Sequence, residues 1–486
     1  MGLILLVLLP LVGGGLVLAA GRAGDRHASI AGILVLAAGL LVLLGIVLVP
    51  PAEGQWIALH RQPWAPTLGV SLIFAMDGLS AVLVGLSLAL GIVAILVSSD
   101  VRPAPGLFHA AILWTVAAAN GVFLSFDLLV FAFFWELMLV PAFLLIAIWG
   151  HEARQAAAMK FLVTNATAGL GLIAAALYMG GTAPAGIGFD AFALAQLARP
   201  TDVQVWLLLG FALAFLVKLP VPPLHAWLPD AHTEAPTAGS ILLAGILLKT
   251  GAYGLFRFAP MLFPQGFQVL APWGMALGAF GTIYAALVAC GQTDAKRLVA
   301  YTSIAHMSIV LMGVSGAVHF ALMGAAVEMV AHGFSSSALF LLVGAVEKRT
   351  GTRDLRRLGG LQQTAPRFAT AFAVFFSASL AMPGTANFLG EALVITGMFQ
   401  VNWLFAALAL VSLVISVVYA TRLLRRIVFG EPGQIVIDRD LAPYELWPLV
   451  VLGASTLLFG LLPQLLLTVL EPAVDAAMAA LRPALP

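Results

Sequence analysis

The chain is an almost unbroken succession of apolar runs of about 20 residues, each long enough to cross a hydrocarbon core of roughly 30 Å as a helix. In lipid every backbone amide must find its partner within protein, so a spanning chain forms helices or a closed barrel. Barrel strands need only about 10 residues and alternate in polarity; these runs are longer and do not alternate. Composition excludes a soluble domain: 62% of the 486 residues are hydrophobic and 9% charged, too few charges to cover a soluble surface. The first run, 1–20, has no basic segment before it and no small-residue cleavage site, so it reads as a mature helix. The single cysteine, Cys290, rules out an internal disulfide, an Fe–S cluster held by this chain alone and a Cys-rich zinc site. No HExxH, acidic calcium loop, P-loop, flavin, haem or nucleotide signature occurs, so no metal site is expected.

The runs predict about 14 spans, near 2–20, 28–50, 76–98, 107–125, 127–149, 159–181, 204–228, 236–260, 270–291, 297–316, 320–346, 368–399, 402–428 and 446–469. Loops between them are short and leave no room for a soluble catalytic domain. With the N-terminus outside, 17 of the 23 Lys and Arg residues fall in inward loops and only Arg61, Arg199, Arg257 and Arg482 lie outside, a strong positive-inside bias. Residues 51–75 and 430–445, with Pro, Gly and aromatic residues, read as ordered interfacial loops.

The two remaining basic residues, Lys218 and Lys249, fall inside spans, and an ionisable group at that depth is by default functional. Glu136 lies mid-span in FAFFWELMLVPAF; the structural alternative is a carboxyl hydrogen-bonded between helices. Lys218 lies in LAFLVKLPVPPLHAWLPDAH. There Pro220, Pro222 and Pro223 lack the N–H groups that would bond the carbonyls of Leu216, Lys218 and Leu219. A helix broken beside a buried lysine is the expected build of a transporter site, whereas a lysine snorkelling from a helix end is the structural alternative. Lys249 has about ten apolar residues on either side, too deep for comfortable snorkelling. His225, Asp230 and His232 cluster between the two lysine-bearing spans, as a route for proton uptake or as a solvated loop.

In the second half, TSIAHMS and EMVAHGFSSS place His306 in one span and Glu328 with His332 in the next. Glu328 and His332 are four apart, on one helix face, and with the surrounding Ser and Thr they suggest a hydrogen-bonded relay. SASLAMPGTANFLGEALVIT carries Pro383-Gly384 mid-span, freeing the carbonyl of Ser379, with Glu391 two turns on. The seventh and twelfth spans are thus both broken and both charged. Five helices separate them, which suggests two five-helix repeats that, five being odd, are inverted.

FFWELMLVPAFLLIAIWG, VKLPVPPLHAWLPDAHTEAPTAGSILLAGILLKTGAYGLFRF, QTDAKRLVAYTSIAHMS, AHGFSSSALFLLVG and SLAMPGTANFLGE together resemble the antiporter-like membrane subunits of respiratory NADH:quinone oxidoreductase, complex I, of the chain M (subunit 4) type. The resemblance covers roughly 70–430. It implies an all-α membrane protein of 14 helices with two inverted five-helix repeats and broken helices 7 and 12. The segments expected are 1–106, three N-terminal helices; 107–262, helices 4–8; 263–430, helices 9–13; and 431–486, a loop and helix 14. It implies proton translocation with Glu136 and Lys218 as the interacting pair of a first half-channel. Lys249 is then the central relay, His306 and His332 its continuation, and Glu391 the exit; Glu328 and His225 are further candidates. The glutamate at 391 and the absence of a long lateral helix point to chain M rather than its sisters L and N. Position 328 departs from the usual Gln of that type. By the same resemblance the chain holds no cofactor, FMN and Fe–S clusters belonging to partner subunits. Chains L and N are the expected neighbours, lipid surrounds them, quinone and NADH act only through other subunits, and nucleic acid has no part. The expected location is a bacterial inner membrane with both termini on the periplasmic face. The alternative is a subunit of a stand-alone cation/proton antiporter or a membrane-bound hydrogenase complex.

Overall fold

A computed structural model describes residues 1–49, 56–98, 101–431, 433, 435, 437 and 439–482. Thirteen crossings are carried by Gly2–Ala23, Asp25–Val47, Gly78–Leu96, Pro105–Leu124, Leu128–Trp149, Arg154–Gly181, Thr201–Lys218, Thr237–Leu262, Pro264–Cys290, Ala295–Ser315, His319–Thr350, Trp403–Val428 and Pro443–Leu461. Two shorter helices, Pro366–Ser379 and Ala386–Val401, together make the twelfth crossing in chain order. The described residues therefore cross 14 times, and the last crossing returns to the face that carries Met1. Below, this is the N-terminal face; the other is the opposite face.

Both expected breaks are present. The seventh crossing stops as an α-helix at Lys218 and resumes at Trp227–Glu234. The twelfth is interrupted between Ser379 and Ala386. One detail differs. The carbonyl of Leu216 is not free, because Val221 N–H reaches back to it at 3.1 Å. The neighbouring carbonyl of Val217 accepts from the Trp227 indole at 2.9 Å. A wider turn and an aromatic donor thus satisfy part of what the prolines leave over.

The C-terminal end also differs. The last crossing ends at Leu461, and the chain then turns at Leu462–Pro463 into an 18-residue helix, Gln464–Leu481. That helix is long and apolar enough to cross a membrane, yet its neighbours all belong to one face. Its Val469 carbonyl abuts Gly78 at the start of span 3. Its Glu471 bonds His319 at the start of span 11, at 2.8 Å. Ala477 and Ala480 line a cleft with Trp56, Phe192 and Arg257. It lies along the N-terminal face, so the segment expected to hold one loop and helix 14 holds a further helix after the last crossing.

Loop 51–75 is, from residue 56 on, mostly a β-hairpin of β1 (Ala58–Ala65) and β2 (Val70–Met76), the one sheet among the described residues. Antiparallel pairing of His60 with Phe74 sets its register, and a bridge from Phe74 to Ser125 fixes it to the end of span 4. Residues 51–55 of that loop, and 432, 434, 436 and 438 of loop 430–445, lie outside the described residues.

Burial is graded from edge to centre. Span 2 turns most of its surface outward, whereas spans 8 and 10 are almost wholly buried and span 11 nearly so. The spans that carry Lys249, His306, Glu328 and His332 are therefore the innermost ones. Long apolar side chains of the outer spans face lipid or neighbouring protein, and the ionisable groups gather where protein alone surrounds them.

Candidate functional site

Span 5 contains Pro141, which cannot donate to the carbonyl of Leu137, and its helix is interrupted at Met138, between Leu128–Leu137 and Leu139–Trp149. Glu136 occupies the turn just before that interruption. It is half-buried, and its carboxylate fills the space beside Gly169 of span 6, where a Cβ would come within 1.7 Å of Oε1. Any side chain at 169 would compete with the carboxylate for the same volume.

Lys218, at the broken end of Thr201–Lys218, is fully buried. Its Nζ stands 4.9 Å from the centre of the Trp135 ring, one residue before Glu136. Neither Lys218 Nζ nor Glu136 Oε1 has a hydrogen-bond partner among the described residues. The two feel each other's charge across the gap, and no direct ion pair joins them among the described residues. An unsatisfied ammonium in this setting is held by the ring face and by the field of the carboxylate.

Gly251 closes span 8 onto this break: a Cβ there would meet the Phe215 carbonyl at 2.7 Å and Lys218 Cβ at 3.1 Å. Two residues earlier is Lys249, also fully buried. Leu243–Leu247 form a π-helical turn, in which the i→i+5 pattern loosens the backbone ladder. Lys249 Nζ donates to the Ala244 carbonyl at 2.5 Å. The same Nζ lies 2.6 Å from His332 Nδ1 on span 11.

From there the groups touch in series. The rings of His332 and His306 are 5.5 Å apart, centre to centre. His306 Nδ1 is 2.7 Å from Glu391 Oε1, and its Nε2 is 3.3 Å from the Ser379 hydroxyl at the lip of the twelfth-crossing break. Glu328, on span 11, sits 3.4 Å from the same His306 Nδ1 and accepts from Asn387 Nδ2 at 3.1 Å. Glu328 and Glu391 are both buried, and each keeps one oxygen without a partner among the described residues. One donor atom each from His306, Glu328 and Glu391 lies within 4.8 Å of the others. Two such carboxylates cannot both be ionised without a cation between them, so the trio shares a proton or encloses positive charge. Three different spans supply its members, which is why no sequence motif announces it.

Six of the residues expected from sequence thus form two groups: Glu136 with Lys218, and Lys249 with His332, His306 and Glu391. Glu328 joins the second. The cluster expected from His225, Asp230 and His232 is dispersed. Asp230 pairs with Lys160 at 2.6 Å and Arg297 at 3.0 Å at the opposite face, a solvated arrangement. His225 packs edge-on against Tyr284, away from the relay. Only His232 is fully buried, stacked on Phe340. Sequence reading missed Asn387 and Trp135, although the four-residue spacing of Asn387 and Glu391 puts them on one helix face. It also placed Lys296 among the loop charges, whereas its side chain is fully buried.

Residues 125–416 match the family model described as the NADH:quinone oxidoreductase/Mrp antiporter transmembrane family. The NADH-quinone oxidoreductase subunit M of Pseudomonas aeruginosa is 42% identical over 425 residues, 85% of this chain and 84% of that one. A chain of respiratory complex I from Thermus thermophilus superposes with a TM-score of 0.89 at 32% identity, covering 99% of this chain and 100% of that one. A chain of the Mrp complex from a Dietzia species shares the fold, with a TM-score of 0.88 at 23% identity and 99% of each chain covered. The chain belongs to the NADH:quinone oxidoreductase/Mrp antiporter membrane-subunit family, on the branch of its subunit M members.

Proposed function

We propose that this chain moves protons across a bacterial inner membrane as the subunit M of an NADH:quinone oxidoreductase. The observation that carries the reading is the series Lys249–His332–His306–Glu391, whose members are buried and in contact or ring against ring. Identity of 42% to a subunit M over 85% of this chain favours this reading over a stand-alone antiporter.

The chain's own part is proton handling. Redox chemistry, with FMN and Fe–S clusters, falls to partner subunits, and chains L and N are the proposed neighbours. A change in the charge of Glu136 alters its attraction for the unpaired Lys218 ammonium; at effective interior dielectrics such a change is worth a few kcal/mol, enough to move a lysine's proton affinity by units. Lys218 then releases its proton toward Lys249. Lys249 donates an N–H to His332 Nδ1, and the imidazole, which binds at one nitrogen and gives up at the other, passes a proton toward His306. His306 hands it to Glu391, just past the twelfth-crossing break, and release follows toward the N-terminal face, taken as periplasmic. Glu328 competes with Glu391 for the His306 N–H and so sets when the carboxylate pair holds one proton or two.

The test is proton pumping measured against NADH oxidation in vesicles reconstituted with the intact complex. Lys249→Ala and Glu391→Gln, each assembled, should pump far fewer protons per electron than wild type; a wild-type ratio in both would end the relay reading.

A further inference from the structure

The relay described above lacks an uptake route from the opposite face. On that face a cavity of about 530 Å³ opens among His151, Glu234, Asp294, Glu347 and Arg353. Two of these lining residues, His151 and Glu347, hold Lys296, which is fully buried at the first turn of span 10. Its Nζ bonds Glu347 Oε2 at 3.0 Å, the Ala235 carbonyl at 3.0 Å and His151 Nε2 at 3.3 Å. Glu347 is in turn held by His151 at 3.3 Å and Arg353 at 3.3 Å. Arg353 also bonds the Thr233 carbonyl, so these charges grip the far end of the broken seventh crossing.

The helix just before Ala235, Trp227–Glu234, carries His232. Its ring is stacked on Phe340 at 4.3 Å and is fully buried, yet neither nitrogen has a partner among the described residues. A histidine kept only for packing ordinarily satisfies at least one nitrogen. His232 is three residues from Ala235, whose carbonyl accepts from Lys296, and it lies within charge-interaction range of Lys296, Lys249 and His332.

We infer that Lys296 loads protons from the opposite-face cavity into the central relay, through His232 to Lys249. This deepens the relay reading and rests on it. The Lys296 ammonium gives one proton to a ring nitrogen of His232 and becomes a neutral amine. His232 passes a proton to the neutral amine of Lys249, and Lys296 recovers its own from the aqueous cavity by way of His151. The sequence is self-timed. While Lys249 is charged it repels a proton on His232; once Lys249 has delivered its proton toward His332, that repulsion vanishes and His232 can fill. Glu347 keeps Lys296 in place and lets its charge persist beside the cavity between turnovers.

An arginine at 296 tests this, because it preserves the charge and the pairing with Glu347 but cannot release a proton. In reconstituted intact complex, Lys296→Arg should assemble and lower the proton-to-electron ratio to that of Lys249→Ala measured beside it. His232→Gln, which leaves the Lys296–Glu347 pair untouched, should do the same. A wild-type ratio in either variant, with Lys249→Ala defective, overturns the uptake route and leaves the relay standing. A wild-type ratio in all three would overturn the relay itself. If Lys296→Arg does not assemble, His232→Gln alone decides.

Discussion

Lys249 and His332, 83 residues apart in sequence, meet at 2.6 Å in the most deeply buried part of the protein, and the π-turn before Lys249 supplies its second partner, the carbonyl of Ala244. A lysine with a carbonyl on one side and an imidazole nitrogen on the other is held in place whichever way its proton goes. Lys249→Ala removes both the donor and the bridge. The expected outcome is normal assembly with at least a tenfold fall in proton pumping, read in vesicles against NADH oxidation.

Glu391 should tolerate a change of length better than a loss of charge. Glu391→Gln keeps the hydrogen bond to His306 but cannot release a proton, so it should block translocation through this chain. Glu391→Asp should retain part of it. Equal pumping by Gln and wild type would remove Glu391 from the path.

Gly169→Ala is a structural probe of the Glu136 pocket. The new Cβ would fall 1.7 Å from Glu136 Oε1, so the carboxylate must move. Overpacking of this kind costs roughly 1–3 kcal/mol. The displaced carboxylate should also alter its hold on Lys218, so pumping should drop several-fold in complex that still assembles. Unchanged pumping would mean that the position of Glu136 does not control Lys218.

Arg257 and Asp77 form a buried ion pair near the N-terminal face; Asp77 also caps span 3 by accepting from Ser80 N–H at 2.9 Å. Arg257 lies over the rings of Trp56, Phe126 and Tyr253. Arg257→Met strands the Asp77 carboxylate in apolar surroundings, at a cost of roughly 3–5 kcal/mol. Thermal denaturation of the purified complex should show this as earlier loss of the subunit, and Asp77→Asn in the same chain should recover much of it.

Much of this was legible because lipid punishes exceptions. Apolar runs had to be spans, and a proline triplet beside Lys218 had to break one. The relay order was partly legible too, since Glu328 and His332 share a helix face at a four-residue spacing. The meeting of His306 with Glu391 was not, because it depends on how three separate spans pack. Lys296 was misread for a related reason. Its neighbours in QTDAKRL are polar and it adjoins Arg297, which is only half-buried, so nothing local distinguishes the lysine that turns inward. Gln464–Leu481 was missed because the last expected span, 446–469, runs through the turn at Leu462–Pro463 that separates this helix from Pro443–Leu461.

That flat helix has a mechanical consequence. It is fastened to the start of span 3 at Gly78, to the start of span 11 through His319, and beside the end of span 8 near Arg257. Carriers that work by alternating access rock one bundle against another about a central site. Here a rigid rod ties spans from both ends of the sequence at one membrane surface, so rocking would have to tear it loose at several anchorages each cycle. A protein strapped in this way keeps its scaffold still and lets only side chains and protons travel.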